Sequence, residues 1–408
     1  MTENRGQTPI SPALVLLVAH ILSMLGFSTY AALLPELRDA WSLSNSQAGI
    51  VSGMFFVGYI GTVSLWTALT DRADARKIYL AGSVLAALGG LGFGVLASGF
   101  ASAVLFQALL GVGIAATYMP GLRLLSERVS GASQSRYVAF YTSFFGIGTA
   151  LSLAIAGFTA PALGSRSAFR LSAVGPVLAG ALVYFSLGAL PRRHAAARFS
   201  IATLLPLRAW RQVLADRASA GYTLGYAAHC LELFGSRAWM VAFLAFSASL
   251  HPGPSFPWPA AAIAAIVNLL AVPASIFGNE VALRMGRRRW ILMVMAASGS
   301  SGMLLAFSAP WHWALVLGLL IAYSMFVMAE SGTLTAGLVA TASAELRGAA
   351  MGLYSLAGFA GGMLGPVIFG AALDAAGGAH KLSAWIAGYA AIGAGCLAAP
   401  VVARRFSR

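Results

Sequence analysis

Twelve apolar runs, each near the length that crosses a bilayer, divide this chain of 408 residues from end to end. A spanning helix needs ~20 mostly apolar residues, because the hydrocarbon core is thick and offers no partner for a free backbone group. The runs cover 11–34, 46–69, 78–98, 101–125, 136–158, 168–190, 219–248, 258–281, 289–308, 311–340, 347–373 and 382–403. Composition agrees: 59% of residues are hydrophobic and only 9% are charged, too few to coat a soluble protein of this size. The expected fold class is an all-α integral membrane protein of twelve transmembrane helices.

The placement of the 26 Lys and Arg residues orients those helices. Twenty-one lie on one side: Arg5, the 2–3, 4–5, 6–7 and 8–9 connections, Arg347 and the C-terminal tail. Four lie on the other: Arg38, Arg166, Arg170 and Lys381. Arg237 falls inside run 7. This bias puts both termini and every even-to-odd connection in the cytoplasm. The net charge of +14 therefore reads as an orientation signal beside anionic membrane lipids, not as a nucleic-acid surface. The first 15 residues have no signal-peptide pattern, so run 1 is expected to act as the targeting segment itself. Cys230 and Cys396 both fall within runs and are expected to be reduced packing thiols.

Without the segment 191–218, two stretches of 190 residues remain, 1–190 and 219–408, each with six runs. Tyr141, Gly148 and Gly157 in run 5 match Tyr354, Gly361 and Gly370 in run 11 at an offset of 213. Arg136 and Arg347, which open those runs, are offset by 211. Arg72, Arg76 and Lys77 match Arg284, Arg288 and Arg289 at an offset of 212. Agreement of three independent offsets points to a duplicated six-helix unit and two pseudo-symmetric bundles. The intervening segment sets Phe199, Ile201, Leu204, Leu205, Leu207 and Trp210 among arginines, a pattern suited to an amphipathic cytoplasmic helix.

The 2–3 loop runs Thr67-Ala-Leu-Thr-Asp71-Arg72-Ala-Asp74-Ala-Arg76-Lys77, and the 8–9 loop ends Arg284-Met-Gly286-Arg287-Arg288-Arg289. Both resemble the loop signature of the major facilitator superfamily, Gly-x-x-x-Asp-Arg-x-Gly-x-Arg-Arg. Thr67 and Asp74 replace its glycines in the first copy, and Leu283 replaces its acid in the second. In run 4, Gly111, Gly113, Ala115 and Ala116 are similar to a second superfamily motif, but Gln107 stands at its arginine. The antiporter motif is missing from run 5, while Gly361, Gly365, Pro366 and Gly370 lie in run 11. The resemblance implies twelve helices, a cavity lined by helices 1, 4, 7 and 10, and a cytoplasmic gate in which Asp71 meets the start of helix 11. Gate residues on that basis are Asp71, Arg72, Arg76, Lys77, Arg284, Arg288 and Arg347.

Polar residues deep in the runs are the site candidates, since a charge in hydrocarbon is costly and is kept for a use. His20 lies ~14 Å into run 1 and Glu232 ~20 Å into run 7 at the usual helical rise. Tyr222, Tyr226, His229 and Glu232 share one broad face of run 7. Arg237 sits further toward the outer side, run 10 contributes Tyr323 and Glu330, and run 4 contributes Tyr118. The candidate cavity or coupling residues are Glu232, Glu330, His229, His20, Tyr226, Tyr118 and Arg237. Glu232 is set against a structural pairing with His229 or Arg237.

No zinc spacing, nucleotide-binding loop or catalytic cluster stands out, so neither an enzyme nor a cofactor is expected. The function implied is secondary active transport of a small organic solute by alternating access, with protons as a candidate coupling ion. A passive facilitator and a non-transporting ligand sensor of the same fold are the competing readings. A monomer is expected. An arginine-to-lysine ratio of 24 to 2 suggests a GC-rich genome and a bacterial inner membrane.

Overall fold

In a computed structural model, residues 11–129, 132–189, 206–251, 256–343 and 345–405 are described. Twelve helices are long and apolar enough to cross a membrane. They are α1 (Pro12–Ala40), α2 (Asn45–Leu69), α3 (Ala75–Leu96), α4 (Phe100–Ser126), α5 (Arg136–Leu163) and α6 (Ser165–Ser186). The second set is α7 (Arg217–Ser249), α8 (Ala260–Met285), α9 (Arg287–Phe307), α10 (Trp313–Thr341), α11 (Arg347–Ala375) and α12 (Leu382–Ala399). Each corresponds to one apolar run. A short helix, Leu207–Ala215, precedes α7 and buries Val213 against the second half. The Phe199–Leu205 part of the amphipathic pattern lies outside the described residues.

Local chemistry sets the helix ends. Ser44 and Gln47 form a reciprocal capping box at α2, with Gln47 N donating to Ser44 Oγ at 3.1 Å and Ser44 N to Gln47 Oε1 at 3.0 Å. Asp74 caps α3 through Arg76 N, and Asp216 caps α7 through Ser219 N. The α5–α6 and α8–α9 turns each use one glycine at positive φ, Gly164 (83°) and Gly286 (90°), where a Cβ would be strained.

Two spans are interrupted. In α1, a 3₁₀ turn at Met24–Gly26 separates Pro12–Ser23 from Thr29–Ala40. In α10, Glu330 separates Trp313–Ala329 from Ser331–Thr341. A break in a membrane helix frees backbone groups and is tolerated only inside protein or beside a cavity.

The cores show how the halves meet. At the end away from the arginine-rich loops, one cluster joins both halves, from Tyr30, Leu34, Phe93 and Phe169 to Trp239 and Trp385. At the arginine-rich end the buried residues form two clusters. One belongs to the first half (Leu16, Tyr79, Leu124, Tyr141) and one to the second (Ile291, Leu334, Tyr354, Cys396). The shared core rests on α2 against α11 and α5 against α8. A Cβ at Gly49 would lie 2.3 Å from Pro366 O, and one at Gly157 would lie 2.9 Å from the Ala261 Cβ. This conformation is therefore closed at the end opposite the basic loops.

Candidate functional site

Two buried side-chain clusters occupy equivalent places in the two halves. In the second half, His229 Nδ1 on α7 lies 2.8 Å from Glu330 Oε1 at the α10 break, and both side chains are almost fully buried. Tyr226 stacks on Tyr354 of α11 at 3.8 Å and flanks the His229 ring at 5.7 Å. Thr335 Oγ1 and Tyr354 Oη share a hydrogen bond of 2.9 Å. In the first half, His20 of α1 stacks on Tyr141 of α5 at 4.2 Å and meets Tyr118 of α4 edge-on at 5.2 Å. The offsets from His20 to His229, Tyr118 to Glu330 and Tyr141 to Tyr354 are 209, 212 and 213. The duplication thus extends to these three positions of the site, and Tyr118 occupies the place of Glu330.

That difference decides what each cluster can do. Glu330 and His229 are both ionisable and share one hydrogen bond, so the protonation of each depends on the other. Glu330 Oε2 and His229 Nε2 are buried with no hydrogen-bond partner among the described residues. His20 has no partner on either ring nitrogen and is held by ring packing alone.

Glu232 belongs to neither cluster. Its Oε2 accepts a hydrogen bond from Ser298 Oγ of α9 at 2.9 Å, which turns it toward α9 and α12. The alternative for Glu232, a structural pair with His229 or Arg237, does not form: His229 faces α10 and Arg237 faces the closed end. Helix rotation separates residues that share a broad face.

Arg237 lines a cavity of about 50 Å³ just inside the closed end, together with Ser28, Ser52, Gln107, Thr149 and Asn268. Both halves contribute to it. A larger cavity of about 420 Å³, with Arg217 and Arg288 on its lining, lies wholly within the second half, among α7, α9, α10 and α12.

At the arginine-rich end the anticipated gate is arranged differently. Asp71 does not hold the start of α11; its carboxylate accepts from Arg123 of its own half at 2.6 Å and remains half exposed. Arg123 also donates to Glu127 at 2.9 Å. Arg76 pairs with Asp74 at 2.6 Å and donates to Leu187 O, which ties α3 to the end of α6. Hydrogen bonds from Arg76 hold the Asp74 carboxyl below the usual carboxylate range. Arg72, Lys77, Arg284, Arg288 and Arg347 are exposed. The physical reason is the state of the molecule: the halves share no core at this end, so charges find partners within their own half.

The helix-terminus contact expected there exists at the opposite end instead. Asp374, at the end of α11, accepts from Asn45 N (3.1 Å), Asn45 Nδ2 (2.7 Å), Ser46 N (2.7 Å) and Ser46 Oγ (2.6 Å) at the start of α2. A carboxylate on a helix N-terminus is favoured by the helix dipole and by the unused N–H groups. The sequence reading missed this latch, although a lone acid at the outer end of run 11 and the Ser44-Asn-Ser-Gln47 cap are both visible. Replacing Asp374 with alanine removes four hydrogen bonds to a charged acceptor whose donors can rehydrate. The closed end should lose roughly 1–3 kcal/mol. Spin labels at Leu163 and Trp311, on the two halves at this end, will then show a larger population at long separation. An unchanged distance distribution would exclude the latch.

A family model described as Major Facilitator Superfamily matches residues 16–366. The chain belongs to the major facilitator superfamily. Among curated relatives, the Synaptic vesicle 2-related protein of Bos taurus is 28% identical over 157 residues, 38% of this chain and 27% of that protein. The Probable 4-methylmuconolactone transporter of Cupriavidus pinatubonensis is 27% identical over 171 residues, 40% of this chain and 37% of that protein. The chain thus spans 27% to 37% of the curated relatives' length in these matches. Among solved structures, a bacterial homolog of the human lysosomal transporter Spinster, inward-facing and unoccupied, aligns at TM-score 0.77 and 15% identity, covering 98% of this chain and 97% of its own. The nucleoside transporter NupG aligns at TM-score 0.79 and 16% identity, covering 97% of this chain and all of its own. These likenesses bear on the fold.

Proposed function

We propose that this chain is a secondary active transporter that moves a small organic solute by alternating access and couples that movement to protons. The single observation that carries the reading is the buried Glu330–His229 pair at a helix break, in a molecule whose halves are joined at one end only. Family membership supports transport itself; the coupling and the cycle are our inference.

In this reading the termini and arginine-rich loops face the cytoplasm, and the structure corresponds to the inward-facing state. Rocking of the halves breaks the α2–α11 contact and the Asp374 latch at the outer end. At the inner end, Asp71 then leaves Arg123 for the start of α11. The Glu330–His229 pair takes up or releases a proton when the cycle changes the side it faces. Glu232, bonded to Ser298, is a second proton acceptor on the same half.

Proteoliposomes loaded with a pH-sensitive dye test this. A panel of organic acids, bases and neutral solutes is added outside, with and without an imposed pH gradient. Solute flux that drives proton movement in the wild type and loses its pH dependence in Glu232→Gln supports coupling through Glu232. Retained pH dependence in that variant removes Glu232 from the scheme. Flux with no proton movement in any variant would make the protein a facilitator, and binding without flux would make it a sensor.

A further inference from the structure

Arg237 is a charge inside the membrane without a counter-charge in contact among the described residues. Among the described residues its guanidinium makes one hydrogen bond, a weak one of 3.5 Å to the sulfur of Met328. The two buried carboxylates of the same half are engaged elsewhere, Glu330 with His229 and Glu232 with Ser298. A guanidinium presents five donors in a planar fork, and leaving it unpaired in a low-dielectric setting is strongly unfavourable. Such a group persists where a charge of opposite sign arrives from outside.

Its surroundings say what brings that charge. The cavity at Arg237 holds about 50 Å³, room for a carboxylate group but not for a whole organic solute. Gln107 and Asn268, from opposite halves, add neutral hydrogen-bonding amides, and no acidic residue lines the cavity among the described residues. Aromatic rings make up a large part of the remaining wall, beside the small hydroxyls of Ser28, Ser52 and Thr149. Phe27, Phe55, Phe56 and Phe234 line it, with Phe27 edge-on to Phe55 at 4.7 Å and Phe56 against Phe234 at 4.6 Å. A single cation with neutral amides above an aromatic wall fits an anionic head on an apolar body.

We propose that the transported solute is an organic anion, a carboxylate on an apolar or aromatic body, whose head is held by Arg237. The inference rests on the transport reading above and names its substrate class. Because the cavity is built from both halves, the anion binds across the interface that opens and closes. A bidentate carboxylate would draw α4, α7 and α8 together around its head.

The test is a thermal-shift comparison on the purified full chain, paired with flux of labelled benzoate into proteoliposomes. Benzoate, phenylacetate and succinate are compared with benzamide, phenylacetamide and benzylamine. Carboxylates with an apolar body should raise the melting temperature, and the amides and the amine should not. Arg237→Gln should weaken that response ~10-fold or more in apparent affinity, and Arg237→Lys should weaken it less. Because a folding defect in Arg237→Gln would abolish the response as well, the wild-type selectivity and the lysine variant stand as independent readouts. The proposal falls if the amides or the amine stabilise as well as the acids, if no carboxylate stabilises, or if both variants respond like the wild type. Benzoate that binds through Arg237 but does not move would instead overturn transport while leaving the anion site intact. A neutral solute carried without any anion binding would do the reverse.

Discussion

Gly111→Val is expected to prevent the folded protein from accumulating, whereas Gly49→Leu is expected to leave a folded protein that no longer closes at the end opposite the basic loops. A Cβ on Gly111 of α4 would lie 1.9 Å from Phe55 O and 3.0 Å from Tyr59 N of α2. Both atoms are backbone, in the same half, and no rotamer change relieves them. The helices would have to separate, dismantling the buried contacts of Phe55, Leu110 and Ile114. Overpacking and lost burial together reach about 4 kcal/mol or more, against a typical total stability of about 5–15 kcal/mol. A Cβ on Gly49 would meet an equally rigid atom, Pro366 O at 2.3 Å, but this one lies on α11, in the other half. The rocking motion proposed above separates those helices as a step of the cycle, so the clash can be relieved without unfolding either bundle. Yield of monodisperse protein and melting temperature will distinguish the two variants. Labels at Leu163 and Trp311 should be further apart in Gly49→Leu. If that variant fails to accumulate as Gly111→Val does, the halves do not separate as rigid bodies.

What the sequence makes legible here is what depends on local chemistry. A run of ~20 apolar residues is a membrane helix wherever it occurs, so the twelve spans need no knowledge of their neighbours. The repeat is legible because duplicated residues keep their spacing, and Tyr141 and Tyr354 mark the site clusters through that spacing. What is hidden depends on helix rotation and on conformational state. His229 and Glu232 are three residues apart, yet one faces Glu330 and the other Ser298. The α10 break falls at Glu330, where no proline announces it. The pairing of Asp71 with Arg123 depends on which end of the molecule is closed. The chemistry anticipated for Asp71, a carboxylate on a helix N-terminus, is real in the fold but carried by Asp374 at the other face.

Removing the Glu330 side chain should be the most costly single change in the site, and its amide should separate stability from coupling. Glu330→Ala leaves His229 Nδ1 without its acceptor at a place where Nε2 already has none. Removing one partner of a buried hydrogen bond leaves the survivor unsatisfied, which typically costs about 1–3 kcal/mol and more where the group is charged. Glu330→Gln keeps the shape and one hydrogen bond to the imidazole but cannot exchange a proton. It should therefore melt near the wild type while dye-loaded proteoliposomes show no solute-driven proton movement. The first half provides the control. His20 occupies the equivalent position but is held by stacking on Tyr141, so His20→Phe keeps the ring packing and removes no described hydrogen bond of the side chain. It should change stability by less than about 1.5 kcal/mol and leave proton movement intact. If His20→Phe abolished coupling and Glu330→Gln did not, the proton would travel through the first half, and the replacement of Tyr118 by Glu330 across the duplication would have no bearing on energy coupling. The expected asymmetry assigns the two halves different work: one carries a carboxylate that can be neutralised, and the other holds the equivalent ring cluster with no carboxylate in it.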